Sequence, residues 1–402
     1  MGTSGKAQAT ALLLAGVSLC LAAGCSSGGG GKKDRAAESS PARTTSAAPT
    51  GPPQRGERAC AVKLPAGWRK ALGDGEIDPA ADGAREVLTA VGPGAAWAVV
   101  QSTDAGERTL QFVPESGERR DVAELGDPVE DQVDAADYDG RWLAYDLVRG
   151  RQAQSPWELV AWDAQSGKSK VVARADRDGE GQAVPGPFVQ PVVRSGRVFW
   201  AQGIGGGKSA VYAEDLGKGG KRTTLYKGVA DVPFAAGGVL VWPQAQGKGG
   251  TDIHLAAASL DSLKPAELPP PIARLRGVRV AGSDGRTWAW VGGKQGTELR
   301  VWRPGWKTPA TLVADASEAV NGMDQVQVSG DLVTWRSTEA AWALDLRSRS
   351  YTRVTPQYGY AQARDDAIGV SYAEGEAKSA ESTAVNAVVQ AGELPALPRC
   401  ER

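Results

Sequence analysis

Short apolar runs separated by polar turns recur along most of this chain, and the stretch from Arg141 to Ala173 (RWLAYDLVRGRQAQSPWELVAWDAQSGKSKVVA) shows the pattern most fully. It predicts three short strands, RWLAYDL, WELVAWD and KSKVVA. Asp139-Gly140 before them and Gln165-Ser166-Gly167 within them supply turn residues beside β-branched and aromatic runs. The same unit recurs seven times. Its leading strands start at Gly94, Gly140, Gly196, Gly238, Gly285, Gly330 and Asp366, and carry Val99, Tyr145, Trp200, Trp242, Trp290, Trp335 and Tyr372 near their ends. Successive spacings of 46, 55, 42, 48, 45 and 37 residues average about 45. Another short apolar run precedes each leading strand, which makes four strands per unit at the period of a propeller blade. The fold class expected is therefore all-β, a single β-propeller over residues 58–402, most simply of seven four-stranded blades. Six or eight remain open because the last unit is short. Aromatic residues at corresponding positions are the filling expected between blade faces.

The N-terminus reads differently. Lys6 and the apolar run Ala9 to Ala23 form an export signal too short to span a bilayer. Its end, Leu21-Ala22-Ala23-Gly24-Cys25, resembles a bacterial lipobox, with Ala22 where Leu is commonest. The resemblance implies a signal peptide over residues 1–24 and a lipid on Cys25. That lipid would anchor the chain stably at the outer face of the cell membrane, because a lipidated Cys carries at least two acyl chains. Residues 26–57 are rich in Gly, Ser, Thr, Pro and mixed charge, and are expected to form a flexible tether about 30 Å from end to end.

Composition mainly removes possibilities. Lys+Arg is 46 and Asp+Glu is 47, a balance that speaks against nucleic acid and against a polybasic membrane patch. Four cysteines are present; Cys20 leaves with the signal and Cys25 takes the lipid, so Cys60 and Cys400 are expected to pair in an exported protein. A propeller must join its first and last blades. The strand-like run Cys60 to Leu64 is expected to complete the last blade, with the disulfide stapling it.

Candidate chemistry is sparse. The single histidine, His254, has Asp252 on the same strand face, but a blade-edge histidine is the plainer reading, and one histidine excludes multi-His metal sites. Asp131, Asp134, Asp137 and Asp139 suit turns better than a calcium site. The run from Asp176 to Gly181 starts like a calcium loop but has Pro187 where a bidentate Glu belongs. Gly203 to Ser209 ends like a phosphate-binding loop yet enters a hairpin. No cofactor and no metal are expected, and the absence of a catalytic motif suggests that the chain is not an enzyme. The loops leading into the innermost strands are the candidate ligand-binding surface. They carry Glu130, Phe188, Asp231, Arg276, Asp324, Tyr358 and Tyr360, with Phe188, Asp324, Tyr358 and Tyr360 singled out.

WELVAWDAQSGKSKVVA and AAWALDLRSRSYTRVTP resemble the repeat of TolB-like propellers, in which an aromatic strand leads to Asp, a Gly-containing turn and a strand with an apolar end. The likeness covers about 300 residues and departs from TolB in lacking its preceding α/β domain. The WD-repeat signature is not met, since Trp162-Asp163 occurs once and no Gly-His pair exists. The resemblance implies the propeller fold and a protein-binding role at the cell envelope. The function expected is a cell-surface lipoprotein whose propeller binds a protein or cell-wall ligand without catalysis. The alternative is an extracytoplasmic propeller enzyme acting on glycans.

Overall fold

A computed structural model describes residues 51–400, apart from 117, 128–130, 151–154, 218, 247–251, 315–317 and 374–383. The signal segment, Cys25 and most of the tether lie outside the described residues. Strands dominate. Among the described residues they form six sheets, the largest of which joins two successive antiparallel units, and the units are labelled blades 1 to 7 in chain order.

Blade 1 runs Arg85–Val91, Trp97–Asp104, Glu107–Pro114 and Arg120–Leu125, each strand paired with the next. Two-residue turns fold such units tightly. Between Arg194 and Arg197 of blade 3, Ser195 and Gly196 both take positive φ (52° and 75°), the geometry that matches the twist of the flanking strands. Asp365 and Asp366 hold the equivalent turn of blade 7. The repeated Asp after the aromatic strand works the same way in two blades. Asp163 Oδ1 accepts the Gln165 N–H at 3.0 Å, and Asp345 Oδ1 accepts the Arg347 N–H at 2.8 Å, each fixing the turn that follows.

Each blade begins on an innermost strand: Arg85–Val91, Ala136–Tyr138, Val192–Arg194, Phe234–Ala236, Ala281–Ser283, Gln325–Ser329 and Gly359–Arg364. Innermost strands of successive blades lie against one another from blade 1 to blade 3 and from blade 4 to blade 7, and that of blade 7 lies against that of blade 1. Blades 3 and 4 are joined instead by hydrogen bonds, because Arg222–Ala230 pairs with Val239–Gln246. Val99, Trp200, Trp290 and Trp335 are fully buried between blades, Tyr145 and Trp242 nearly so, and Tyr372 packs partly buried beside the blade 6–7 cluster. Burying such rings contributes on the order of 2–3 kcal/mol each.

The closure differs from the expectation. Cys60 and Cys400 do form a disulfide. Cys60–Ala61, however, adds as a fifth, parallel strand to the outer edge of blade 6, with Cys60 opposite Ser350 and Ala61 opposite Tyr351. The last blade is completed farther along. After the helix α1 (Ala66–Asp74), the Ile77 N–H donates to Asn386 O and the Val388 N–H donates to Gly75 O, with Glu76 bridged to Ala387. The reason lies in α1. Trp68 is fully buried among residues of blades 6 and 7 and donates its Nε1–H to Pro395 O at 2.7 Å, so the chain crosses blade 7 only after this helix. Folded contacts also begin before residue 57, the expected end of the tether. The carboxylate of Glu57 pairs with Arg349 at 2.5 Å, and Arg349 donates to Gly51 O.

Candidate functional site

The innermost strand of blade 7 positions the site by simple alternation. Gly359, Ala361 and Ala363 are buried, while Tyr360, Gln362 and Arg364 are half-buried on the opposite face. Those three side chains mark three levels of the ring axis, Tyr360 and Arg364 being about 13 Å apart along the strand. At the middle level Gln362 donates to Thr89 O, and Gln101 donates to Thr89 Oγ1 and to Val133 O. At the Arg364 end, Asp137 of blade 2 accepts from Arg364 of blade 7 and from Arg194 of blade 3 at 2.9 Å. This triad ties non-adjacent blades across the ring.

The Tyr360 end is the mouth. There Arg336, which ends Leu332–Arg336 of blade 6, sits 4.8 Å from the Tyr360 ring centroid and 5.6 Å from that of Tyr358. The two tyrosine rings meet edge-on at 5.8 Å. Arg336 Nε donates to both carboxylate oxygens of Asp324 at 2.9 and 3.1 Å, and Nη2 also donates to Oδ2. Burial works against the arginine cation, but the hydrogen bonds and charge of Asp324 more than offset it and hold the guanidinium charged above its usual range. Tyr360 is pushed up to about 12, first by burial and then by its neighbour Tyr358.

Blade 2 supplies the opposing side. Burial raises the Asp134 carboxyl, and Arg336 pulls it back down by its charge, which places the two within electrostatic reach. Asp134 itself is open to solvent. Behind it Asp146 is 2% exposed and accepts the backbone N–H groups of Asp134 and Ala135 at 2.9 and 2.8 Å. Burial, and then the charge of Asp134, raise its carboxyl well above the ordinary range.

Of the residues singled out in the sequence, Asp324, Tyr358 and Tyr360 therefore come together. Phe188 is 67% exposed on the loop before blade 3 and makes none of these contacts. Asp231 faces Arg279 at 3.7 Å and Arg276 faces Asp252 at 3.4 Å, while Glu130 lies outside the described residues. His254 Nε2 is 3.0 Å from Gln244 Nε2, and the Asp252 carboxylate faces Arg276. Asp131, Asp137 and Asp139 are turned to separate partners, Arg149, two arginines and the Gly196 N–H. Among the described residues no group of three or more His, Cys, Asp or Glu could hold a metal ion. Gly203 to Ser209 is a hairpin turn, with Gly205, Gly206 and Gly207 all at positive φ. Arg336 and Asp146 were missed in the sequence. Each directly follows a strand-end aromatic, Trp335 or Tyr145, and that shared position is the signal that could have found them.

No protein-family model matches the chain, and no curated protein matches it. Solved structures do. A prolyl endopeptidase is 14% identical over 83% of this chain and 50% of its own, with a TM-score of 0.51. The chain thus spans about half the length of that protein. The β-propeller domain of the Trilobed protease from Pyrococcus furiosus is 12% identical over 77% of this chain and 97% of its own (TM-score 0.48). TolB from Acinetobacter baumannii is 13% identical over 70% of this chain and 65% of its own (TM-score 0.40). At such identities the likeness is one of fold. It nevertheless overturns the expectation that the chain is not an enzyme. That expectation rested on a missing motif, and proteins of this fold include peptidases, so a propeller lacking a recognised motif gives no ground for excluding catalysis. The chain is similar in fold to β-propeller proteins.

Proposed function

We propose that this chain is a lipoprotein held at the outer face of the cell membrane through Cys25, and that its propeller recognises a protein or cell-envelope ligand at the Tyr360 mouth. The observation that carries the reading is the convergence there of Asp324, Arg336, Tyr358 and Tyr360, drawn from blades 6 and 7. Tyrosine and arginine are the residues that most often anchor protein interfaces, since they offer large rigid area with a polar end. A seven-bladed ring presents such a group on one face with loops around it, while the Arg364–Asp137–Arg194 triad occupies the other end of the axis.

The test is a proximity crosslink on intact cells, at native abundance and with the tether unaltered. One dominant partner is expected, and it should disappear when Tyr358 and Tyr360 are both changed to Ala. Labelling of unrelated envelope proteins, unaffected by that change, would overturn the reading. The lipid is tested separately, by mass spectrometry of the mature N-terminus with and without Cys25→Ala.

A further inference from the structure

We propose that blade 4 carries a binding site separate from the Tyr360 mouth, one that takes a short extended peptide with free termini. Among the described residues blade 4 has three strands, Phe234–Ala236, Val239–Gln246 and Asp252–Ser259, where blade 1 has four. The chain that follows meets the outer edge of Asp252–Ser259 only at its two ends. At one end the Ser259 N–H donates to Lys264 O at 2.9 Å and the Ala266 N–H to Ala257 O at 3.0 Å. At the other the Gly277 N–H donates to Ile253 O at 2.8 Å. Between these contacts the chain swings out through Pro269, Pro270 and Pro271 and the short helix α2 (Pro270–Ala273), pinned by the fully buried Ile272. Three successive prolines have no N–H to give to a strand edge.

The gap leaves specific groups without partners. The Leu260 N–H donates to Gly238 O, so the even-numbered residues of Asp252–Ser259 turn their backbone groups toward Val239–Gln246 and the odd-numbered ones turn outward. Leu255 therefore aims its N–H and its C=O outward, and Ala257 its N–H. None of the three has a partner among the described residues. Yet Leu255 is 5% exposed and Ala257 7%, and buried backbone groups are almost always paired. They open on a cavity of about 450 Å³ walled by Leu268, Pro270 and Ala273, a size common for ligand pockets.

Donor, acceptor, donor along a strand edge is the pattern that an added strand meets. An apolar ligand would leave all three groups desolvated, which is costly. The Ala266 and Gly277 contacts bound the added strand at both ends. Ile253 to Ala257 spans about 13 Å, room for about three residues. Run antiparallel, the first residue accepts from the Ala257 N–H, while the third donates its N–H to Leu255 O and accepts from the Leu255 N–H through its carboxylate. Charge favours that direction. Glu267 lines the cavity next to Ala266, at the Ala257 end, and Arg274 lines it near Gly277, at the Ile253 end. Neither side chain has an ion pair or hydrogen bond among the described residues, so Glu267 faces the ammonium terminus and Arg274 the carboxylate.

The experiment is calorimetric titration of the full-length mature protein in detergent with tri-alanine, with tri-alanine N-methylated on its third residue, and with tri-alanine acetylated and amidated at its ends. Saturable binding of tri-alanine is expected. It should weaken at least tenfold on N-methylation, which removes the donor to Leu255 O, and several-fold on capping the ends or after Arg274→Ala. Ala273→Trp fills the cavity and should abolish it. Ala273 and Arg274 are both exposed, so these variants should fold, which an unchanged thermal midpoint verifies. Tri-alanine should also slow hydrogen exchange at the Leu255 and Ala257 amides of the unaltered protein. No saturable binding of tri-alanine, equal binding of the N-methylated peptide, indifference to Ala273→Trp, or unchanged exchange at those two amides would each overturn the inference.

Discussion

Asn386 is the side chain whose loss should most directly open the ring. It is 4% exposed on Ala384–Gln390 of blade 7 and reaches across to the innermost strand of blade 1. Its Oδ1 accepts the Leu88 N–H at 3.0 Å and the Ser371 hydroxyl at 2.7 Å, and its Nδ2 donates to Glu86 O at 2.9 Å. Asn386→Ala leaves the Leu88 N–H and the Glu86 carbonyl unpaired at residues that are 3% and 2% exposed, while Ser371 can rotate. A buried unpaired polar group costs about 1–3 kcal/mol, so the variant should lose about 4 kcal/mol. For a folded unit of roughly 350 residues that corresponds to a fall of about 5 °C in the thermal midpoint. Urea denaturation followed by tryptophan emission measures the loss, and hydrogen exchange of peptides 85–91 and 384–390 localises it. The disulfide does not join blade 7 to blade 1. The cost should therefore add, within about 0.5 kcal/mol, to that of replacing both cysteines by Ser. If Asn386→Ala is silent in the oxidised protein and damaging only after reduction, the disulfide carries the closure and the reasoning fails.

Replacing Cys60 and Cys400 by Ser removes a cross-link spanning 340 residues. The expected cost is about 6 kcal/mol at most on the chain-entropy account, read from the urea midpoint, and no change would show that β-pairing alone holds the N-terminal segment. Asp146 carries a raised carboxyl in the folded protein, so it holds a proton there that the unfolded chain, with its ordinary value near 3.8, releases. Its contribution to stability is complete below that unfolded value and is lost as pH rises through the raised folded one. Asp146→Asn keeps an oxygen for the two backbone donors and should flatten the decline, gaining on the parent at pH 8 relative to pH 5. An unchanged difference between the two pH values would refute the protonated state. Asp137→Ala strands two guanidinium groups and should cost about 3–5 kcal/mol, more than Arg364→Met, because in the latter Asp137 keeps Arg194 and the Val193 N–H. Thermal denaturation gives the ranking, and the reverse order would show that the cross-ring triad does not hold the axis.

The blades were legible because their signal is local: an aromatic strand end every 45 residues or so needs only its neighbours in sequence to be recognised. Closure was not, since a short apolar run such as Cys60 to Leu64 fits any free sheet edge. What decided its place was the burial of Trp68, a contact made with residues more than 250 positions away. The mouth follows the same logic. Asp324, Tyr358 and Tyr360 were reachable because they sit in loops that the propeller topology sends to one face. Arg336 acquires its meaning only when blade 6 is set beside blade 7, whose Tyr358 and Tyr360 rings its guanidinium covers. Periodicity specifies which positions repeat, and function in such a ring lies in the positions that do not. Asp146 and Arg336 occupy one repeat position with opposite chemistry: in blade 2 the carboxyl is buried and holds a proton, whereas in blade 6 the guanidinium pairs with Asp324 and covers two tyrosine rings.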